Sequence, residues 1–143
     1  MDKEIHIGRK IIILSKRIHR KLDNDTSKYG ITGVQSRILG FISRNSEKKD
    51  IFQKDIEEEL DIRRSSVTSV LQLMEKNGYI QRVSVCKDAR LKKIILTEKG
   101  TETQRNVRNL ILEFEKSLAD GLSDEELEIL VSLIDRLSNK IAD

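Results

Sequence analysis

The chain has 143 residues, 37% of them hydrophobic and 36% charged, with a formal net charge of +3, no proline, no tryptophan, three phenylalanines and two tyrosines. That length is one domain's worth of chain, which excludes a second large substrate domain, and so balanced a charge excludes the strong-net-charge signature of disorder. The lack of proline beside abundant Leu, Ile, Glu, Lys and Arg excludes an all-β sandwich and points to long helices.

Apolar residues at Ile7, Ile11, Leu14, Ile18 and Leu22, with Ile5, Ile12 and Ile13 beside them, predict a long first helix over residues 4–22. Gly30 and Gly33 punctuate the chain, and Thr32 is placed to cap a second helix carrying Val34, Ile38, Leu39, Phe41 and Ile42 and ending near Asn45. Asp50 with Gln53 three residues on reads as a capping box for a short third helix bearing Ile56 and Leu60, and Asp61 to Arg64 then turns the chain.

A fourth helix is predicted over residues 65–77, buried on Val67, Val70, Leu71 and Met74 and ended by Gly78 in a left-handed conformation. The opposite face, at about 100° per residue, carries Ser65, Ser69, Gln72 and Lys76 with Thr68 beside them. Solvated helix faces favour Glu, Lys and Arg, so a face of Ser, Thr and Gln sacrifices helix propensity and indicates contact with something. Residues 79–85 and 91–96 read as two strands of a hairpin, with the polar tip Cys86-Lys87-Asp88-Ala89-Arg90. Thr97 caps a fifth helix that closes near Gly121. Ser123 with Glu126 makes a capping box for a last helix whose Leu127, Leu130, Ile134, Leu137 and Ile141 repeat at coiled-coil spacing. Ile129 and Leu133 form a second stripe there, more apolar surface than a lone chain readily buries, and predict association with another chain.

Charge is unevenly spread. Residues 1–49 hold 12 Lys/Arg against 5 Asp/Glu, whereas residues 101–143 hold 5 against 10. Between residues 63 and 93, Arg63, Arg64, Lys76, Arg82, Lys87, Arg90, Lys92 and Lys93 face only Glu75 and Asp88, the electrostatic mark of a polyanion partner. The bland alternative is a solvated basic face. No apolar run reaches the roughly 18 to 20 residues of a membrane span, and the longest, Ile11 to Leu14, is flanked by Arg9, Lys10, Lys16 and Arg17. Nothing after Leu14 resembles a signal cleavage site, and a lone cysteine without a CxxC favours a reducing compartment; the expectation is a soluble, cytoplasmic protein with no membrane role.

Three helices followed by a hairpin tipped with Lys and Arg form a winged helix-turn-helix, so the expected fold is mainly α with a small β-hairpin wing plus a helical dimerisation region. One domain is expected over residues 1–143, with residues 32–100 as the DNA-binding region and residues 1–24 and 101–143 as the dimerisation region. Ile5, Ile12, Leu127, Leu130, Ile134, Leu137 and Ile141 are its candidate contacts.

The stretch Arg64-Ser65-Ser66-Val67-Thr68-Ser69, then Leu73 to Arg82, then Asp88-Ala89-Arg90 and Leu96-Thr97-Glu98-Lys99-Gly100 resembles the MarR/SlyA family of transcriptional regulators. Its specific part is the Asp-x-Arg wing followed by Leu-Thr-x-x-Gly. The resemblance implies a homodimeric, sequence-specific regulator of transcription, a repressor released by a small-molecule effector, on a pseudo-palindromic operator in double-stranded DNA. It implies that Arg90 enters the minor groove, that Asp88 orients it, and that Ser65, Ser66, Thr68 and Ser69 face the major groove. Arg64, Gln72 and Lys87 join them as candidate DNA contacts. The chain departs from the family's pattern at Phe52, where a Thr or Ser cap is usual, a task that falls to Asp50, and at Arg63, where a small residue is commoner.

Competing readings attach to several of these residues. The hydroxyls of Ser65, Thr68 and Ser69 could merely bond back to their own helix, and Lys87, Lys92, Lys93 and Arg82 serve equally as phosphate contacts or solvated charges. Lys87 beside Cys86 raises a redox-switched regulator, against the simpler reading of an unremarkable strand-end thiol. His6 and His19 are too far apart for a metal pair, the seven glycines form no GxGxxG, GxSxG or P-loop, and there is no HExxH. Neither an enzyme, a metal site nor a cofactor is expected. The rival of a different class is a helical protein–protein assembly module with no DNA role.

Overall fold

The computed structural model describes residues 4–85, 87 and 90–142. The chain separates into two compact units, residues 1–110 and 111–143.

The first unit opens with α1 (Ile7–Thr26), four residues longer at its end than the apolar stripe indicates. Its extra turn is closed by the buried Thr26, whose hydroxyl donates to the Leu22 carbonyl at 2.8 Å. A single 3-10 turn (Ser27–Tyr29) and Gly30, at φ 78°, then reverse the chain. Thr32 caps α2 (Gly33–Asn45) in a full capping box: Thr32 Oγ1 accepts from the Gln35 backbone N–H at 3.2 Å, and Gln35 Oε1 accepts from the Thr32 N–H at 3.0 Å. Asp23 Oδ1 accepts from the Gly33 N–H at 2.7 Å and ties the end of α1 to this start.

The third helix corrects an expectation. α3 (Gln53–Leu60) is capped at Phe52, not Asp50. Phe52 has no side-chain acceptor, so only the reciprocal half of a capping box forms, with Asp55 Oδ2 accepting from the Phe52 N–H at 2.9 Å. Asp50 is instead drawn towards the hairpin, 3.7 Å from Lys93 Nζ. Asp61 then takes a left-handed conformation at φ 51° and turns the chain into α4 (Arg64–Lys76), which begins one residue earlier than its sequence pattern indicates.

α4 ends in a Schellman motif: Tyr79 N–H donates to the Met74 carbonyl at 2.9 Å and Gly78 N–H to that of Glu75 at 3.1 Å, with Gly78 at φ 83°. β1 (Ile80–Ser84) and β2 (Lys92–Leu96) pair antiparallel from Ile80↔Leu96 to Ser84↔Lys92. The Ile94 N–H also donates to the Ile51 carbonyl at 2.7 Å, anchoring the hairpin to the link between α2 and α3. One core unites these elements through Ile38, Leu39 and Ile42 of α2, Ile56 of α3, Val67, Leu71 and Met74 of α4, and Ile80 and Ile94 of the hairpin, all buried to 2% exposure or less. Val107 joins them from α5 (Glu98–Ala119), whose cap Thr97 accepts from the Gly100 N–H at 3.0 Å.

In the second unit α5 ends at Ala119, Gly121 turns at φ 88°, and α6 (Asp124–Ile141) starts in the expected capping box between Ser123 and Glu126, with bonds of 2.9 and 3.1 Å. Among the described residues no helix is long and apolar enough to cross a membrane.

Candidate nucleic-acid interface

The geometry of α4 follows from its sequence. Val67, Leu71 and Met74 lock one side of the helix into the core, which turns Ser65, Ser69, Gln72 and Lys76 outward, all exposed and within about 60° of one another around the axis. Ser66 is exposed about a quarter turn away. Thr68 is half-buried and lies on the side of α3, where its hydroxyl donates to the Arg64 carbonyl at 2.8 Å and accepts from Gln53 Nε2 at 2.7 Å. Ser69 Oγ donates to the Ser65 carbonyl at 3.2 Å. Back-bonding to the helix therefore occurs at Thr68 and Ser69.

Beside this face a groove of about 470 Å³ runs between α3, the start of α4 and the hairpin. Among the described residues, Lys54, Arg64, Arg82, Arg90 and Lys92 line it, with Glu57 as the one carboxylate and Phe52, Leu91 and Ile94 as its apolar floor. A low-dielectric wall set with cations of one sign concentrates the field on an anion such as phosphate. Arg64 and Arg90, far apart in sequence, are thus brought to one cleft. Lys87 is exposed towards the hairpin tip, while Asp88 and Cys86 lie outside the described residues.

Arg82 is not a free surface cation. Its backbone N–H donates to Glu75 Oε2 at 3.3 Å and its Nε lies 3.7 Å from Glu75 Oε1, so α4 and β1 are clamped together by charge. Lys93, equally a candidate for phosphate, faces Asp50. Two groove residues escaped the sequence reading. In the sequence Gln53 reads as part of a helix cap and Lys54 as a lone cation in an acidic helix; only the packing of α3 against α4 sets them beside Arg64.

Of the candidate association residues, Ile5 and Ile12 are exposed on and just before α1, and Leu130, Ile134 and Ile141 are exposed on α6, whereas Leu127 and Leu137 are half-buried. Among the described residues no group of His, Cys, Asp and Glu could hold a metal ion.

A family model described as MarR family matches residues 29–91, from the 3-10 turn through the hairpin tip. The HTH-type transcriptional regulator PapX of Escherichia coli is 28% identical over 131 residues, covering 89% of this chain and 79% of that protein. The crystal structure of the transcription regulator MarR from Oenococcus oeni PSU-1 is 30% identical, covers 94% of this chain and 99% of that one, and superposes with a TM-score of 0.80. The S. aureus MepR–DNA complex, 24% identical with a TM-score of 0.90 over 96% of this chain and 99% of that one, shares the fold. These relatives are regulators of transcription rather than enzymes, and the chain described here belongs to the MarR family, a transcriptional regulator with the DNA-binding winged-helix fold.

Proposed function

We propose that the protein is a cytoplasmic, homodimeric repressor that binds a pseudo-palindromic operator in double-stranded DNA and leaves it when a small-molecule effector binds. The observation that carries the DNA part is the exposed Ser65, Ser69, Gln72 and Lys76 row standing beside a groove lined, among the described residues, by five cations and one carboxylate. Short hydroxyls and an amide on an otherwise rigid helix suit base edges in a major groove, and the groove cations other than Arg82, which is paired with Glu75, suit the flanking phosphates. Ser65, Ser66, Ser69 and Gln72 are assigned to bases and Arg64 and Lys87 to phosphates. Arg90 at the hairpin is assigned to the minor groove, with Asp88 orienting it as the family resemblance implies. MepR, solved as a complex with DNA, shares this fold and supports DNA as the partner.

The dimer rests on the apolar faces that one chain leaves uncovered, Ile5 and Ile12 at one end and Leu130, Ile134 and Ile141 on α6. Two linked reading heads make a two-fold symmetric site, with half-sites about one helical turn apart. Repression and effector release are carried over from the family resemblance alone. Selection of bound duplexes from a random pool tests the reading. An enriched inverted repeat whose affinity falls linearly with log salt is expected; no enrichment, or binding indifferent to salt, overturns it.

A further inference from the structure

The hydrogen bond from Gln53 Nε2 to Thr68 Oγ1, 2.7 Å long, joins the first residue of α3 to the second turn of α4. The same Thr68 hydroxyl gives its proton to the Arg64 carbonyl at 2.8 Å, and Gln53 Nε2 also reaches that carbonyl at 3.5 Å. A hydroxyl has one proton and two lone pairs. Here the proton and one lone pair are engaged, so Thr68 has no donor to offer a purine N7, a guanine O6 or a thymine O4. Its place on the helix agrees, since Thr68 sits about 60° round from Ser65 on the side of α3. Unlike Ser69, whose back-bond leaves both lone pairs open, Thr68 is held from both sides and serves as a fastening point.

What it fastens is the angle of the reading helix. Ile56 and Leu60 of α3 share the core with Val67 and Leu71 of α4. Apolar contact of this kind is non-directional and tolerates small rotations of one helix on another. A hydrogen bond prefers near-linear geometry and weakens steeply when bent, so the Gln53 link restricts that rotation. A rotation of α4 by even a fraction of a turn displaces Ser65, Ser69 and Gln72 from the base edges they face. We propose that Gln53 is a positioning residue for operator specificity, acting through Thr68 to fix the rotation of α4 on α3. This inference rests on the DNA-reading function proposed above.

The test uses the full chain as parent, Gln53→Ala, Thr68→Val, the double variant and Thr68→Ser. Affinity is read by fluorescence anisotropy on the selected operator and on a scrambled duplex, with hydrogen exchange of the residue 64–68 amides as a DNA-free readout. Each single variant is expected to lower the operator-to-scrambled preference about tenfold and to speed exchange in that turn. The double variant should lose no more than either single one, and Thr68→Ser should stay within about twofold of the parent because it keeps the hydroxyl. Thr68→Val preserves volume, so its reading does not depend on tolerance of a cavity. Additive losses, or a loss for Gln53→Ala with a parent-like Thr68→Val, would mean that Gln53 touches DNA directly and would overturn the inference. So would unchanged preference and exchange in both single variants. A parent that shows no preference for any duplex instead overturns the operator reading, and the specificity role of Gln53 with it.

Discussion

Gly100 lies so close to the backbone of Tyr79 that a β-carbon at residue 100 would overlap the Tyr79 carbonyl oxygen and come within 3.1 Å of the carbonyl carbon. The contact is part of a grip that the start of α5 keeps on the end of α4. Thr97 Oγ1 donates to the Gly78 carbonyl, the Thr97 N–H donates to that of Tyr79 at 3.1 Å, and Lys99 Nζ donates to that of Asn77 at 2.8 Å while standing 4.5 Å over the Tyr79 ring. The Leu-Thr-x-x-Gly motif thereby acquires a physical meaning, a cap and a close approach.

Gly100→Ala should therefore destabilise the protein by about 1 to 3 kcal/mol, because the neighbour that must give way is backbone. Gly8, also helical, has nothing within 4 Å of its would-be β-carbon, so Gly8→Ala should be neutral or add up to about 1 kcal/mol through helix propensity. Urea denaturation of both variants against the parent checks the opposite signs.

Thr32→Ala removes one acceptor of the capping box at the start of α2 and should cost about 1 kcal/mol. Gln35→Ala, which removes the reciprocal bond to the Thr32 N–H, should couple with it in a double-mutant cycle. Strict additivity in thermal unfolding would show that the two bonds act separately.

Arg90→Ala and Ser69→Ala should fail differently. A cation in a groove reads charge and width, so losing Arg90 should weaken operator and scrambled DNA together and flatten the salt slope by about one unit. Losing Ser69 should cost roughly 1 to 3 kcal/mol on the operator with little change on scrambled DNA. Anisotropy over a salt series separates the two, and an Arg90→Ala variant with unchanged affinities would return the groove to a solvated surface.

Ile134→Glu, on the exposed face of α6, should convert a dimer to a monomer in dilute solution and weaken operator binding far more than binding to a single half-site. Light scattering reports the mass. A parent that is already a monomer at micromolar concentration removes the basis for two-fold recognition.

The sequence carried most of this architecture in local signals. Thr32, Thr97 and Ser123 each announce a helix through a short polar side chain followed three residues on by its partner, and Gly78 announces the end of α4. Such signals act within one turn, so a linear reading finds them. Asp50 imitates one, because its spacing to Gln53 fits a capping box, yet the helix starts two residues later, where Asp55 accepts from the Phe52 N–H. The relationships that escaped are those made across the fold. Composition leaves Arg82 open as a phosphate contact or a solvated charge, and only the return of β1 over α4 pairs it with Glu75; the bond from Gln53 to Thr68 is equally invisible until α3 packs on α4. Exposure and charge are legible in composition, whereas the partner of a given polar group is decided by packing.

The bond from the Ile94 N–H to the Ile51 carbonyl carries a consequence for how such a regulator acquires a new target. With Ile94 sunk in the same core as α3 and α4, and Asp50 facing Lys93 beside it, the hairpin's root is slaved to the helices it flanks. On the DNA-reading function proposed above, a hairpin and an α4 held on one core would keep the spacing between their contacts on a duplex as a fixed ruler. Surface substitutions along α4 can exchange one base preference for another inside that ruler, but a target with a different offset between its grooves demands changes in the core itself. Divergence among such proteins should accordingly be quick in the letters they read and slow in the distance at which they read them.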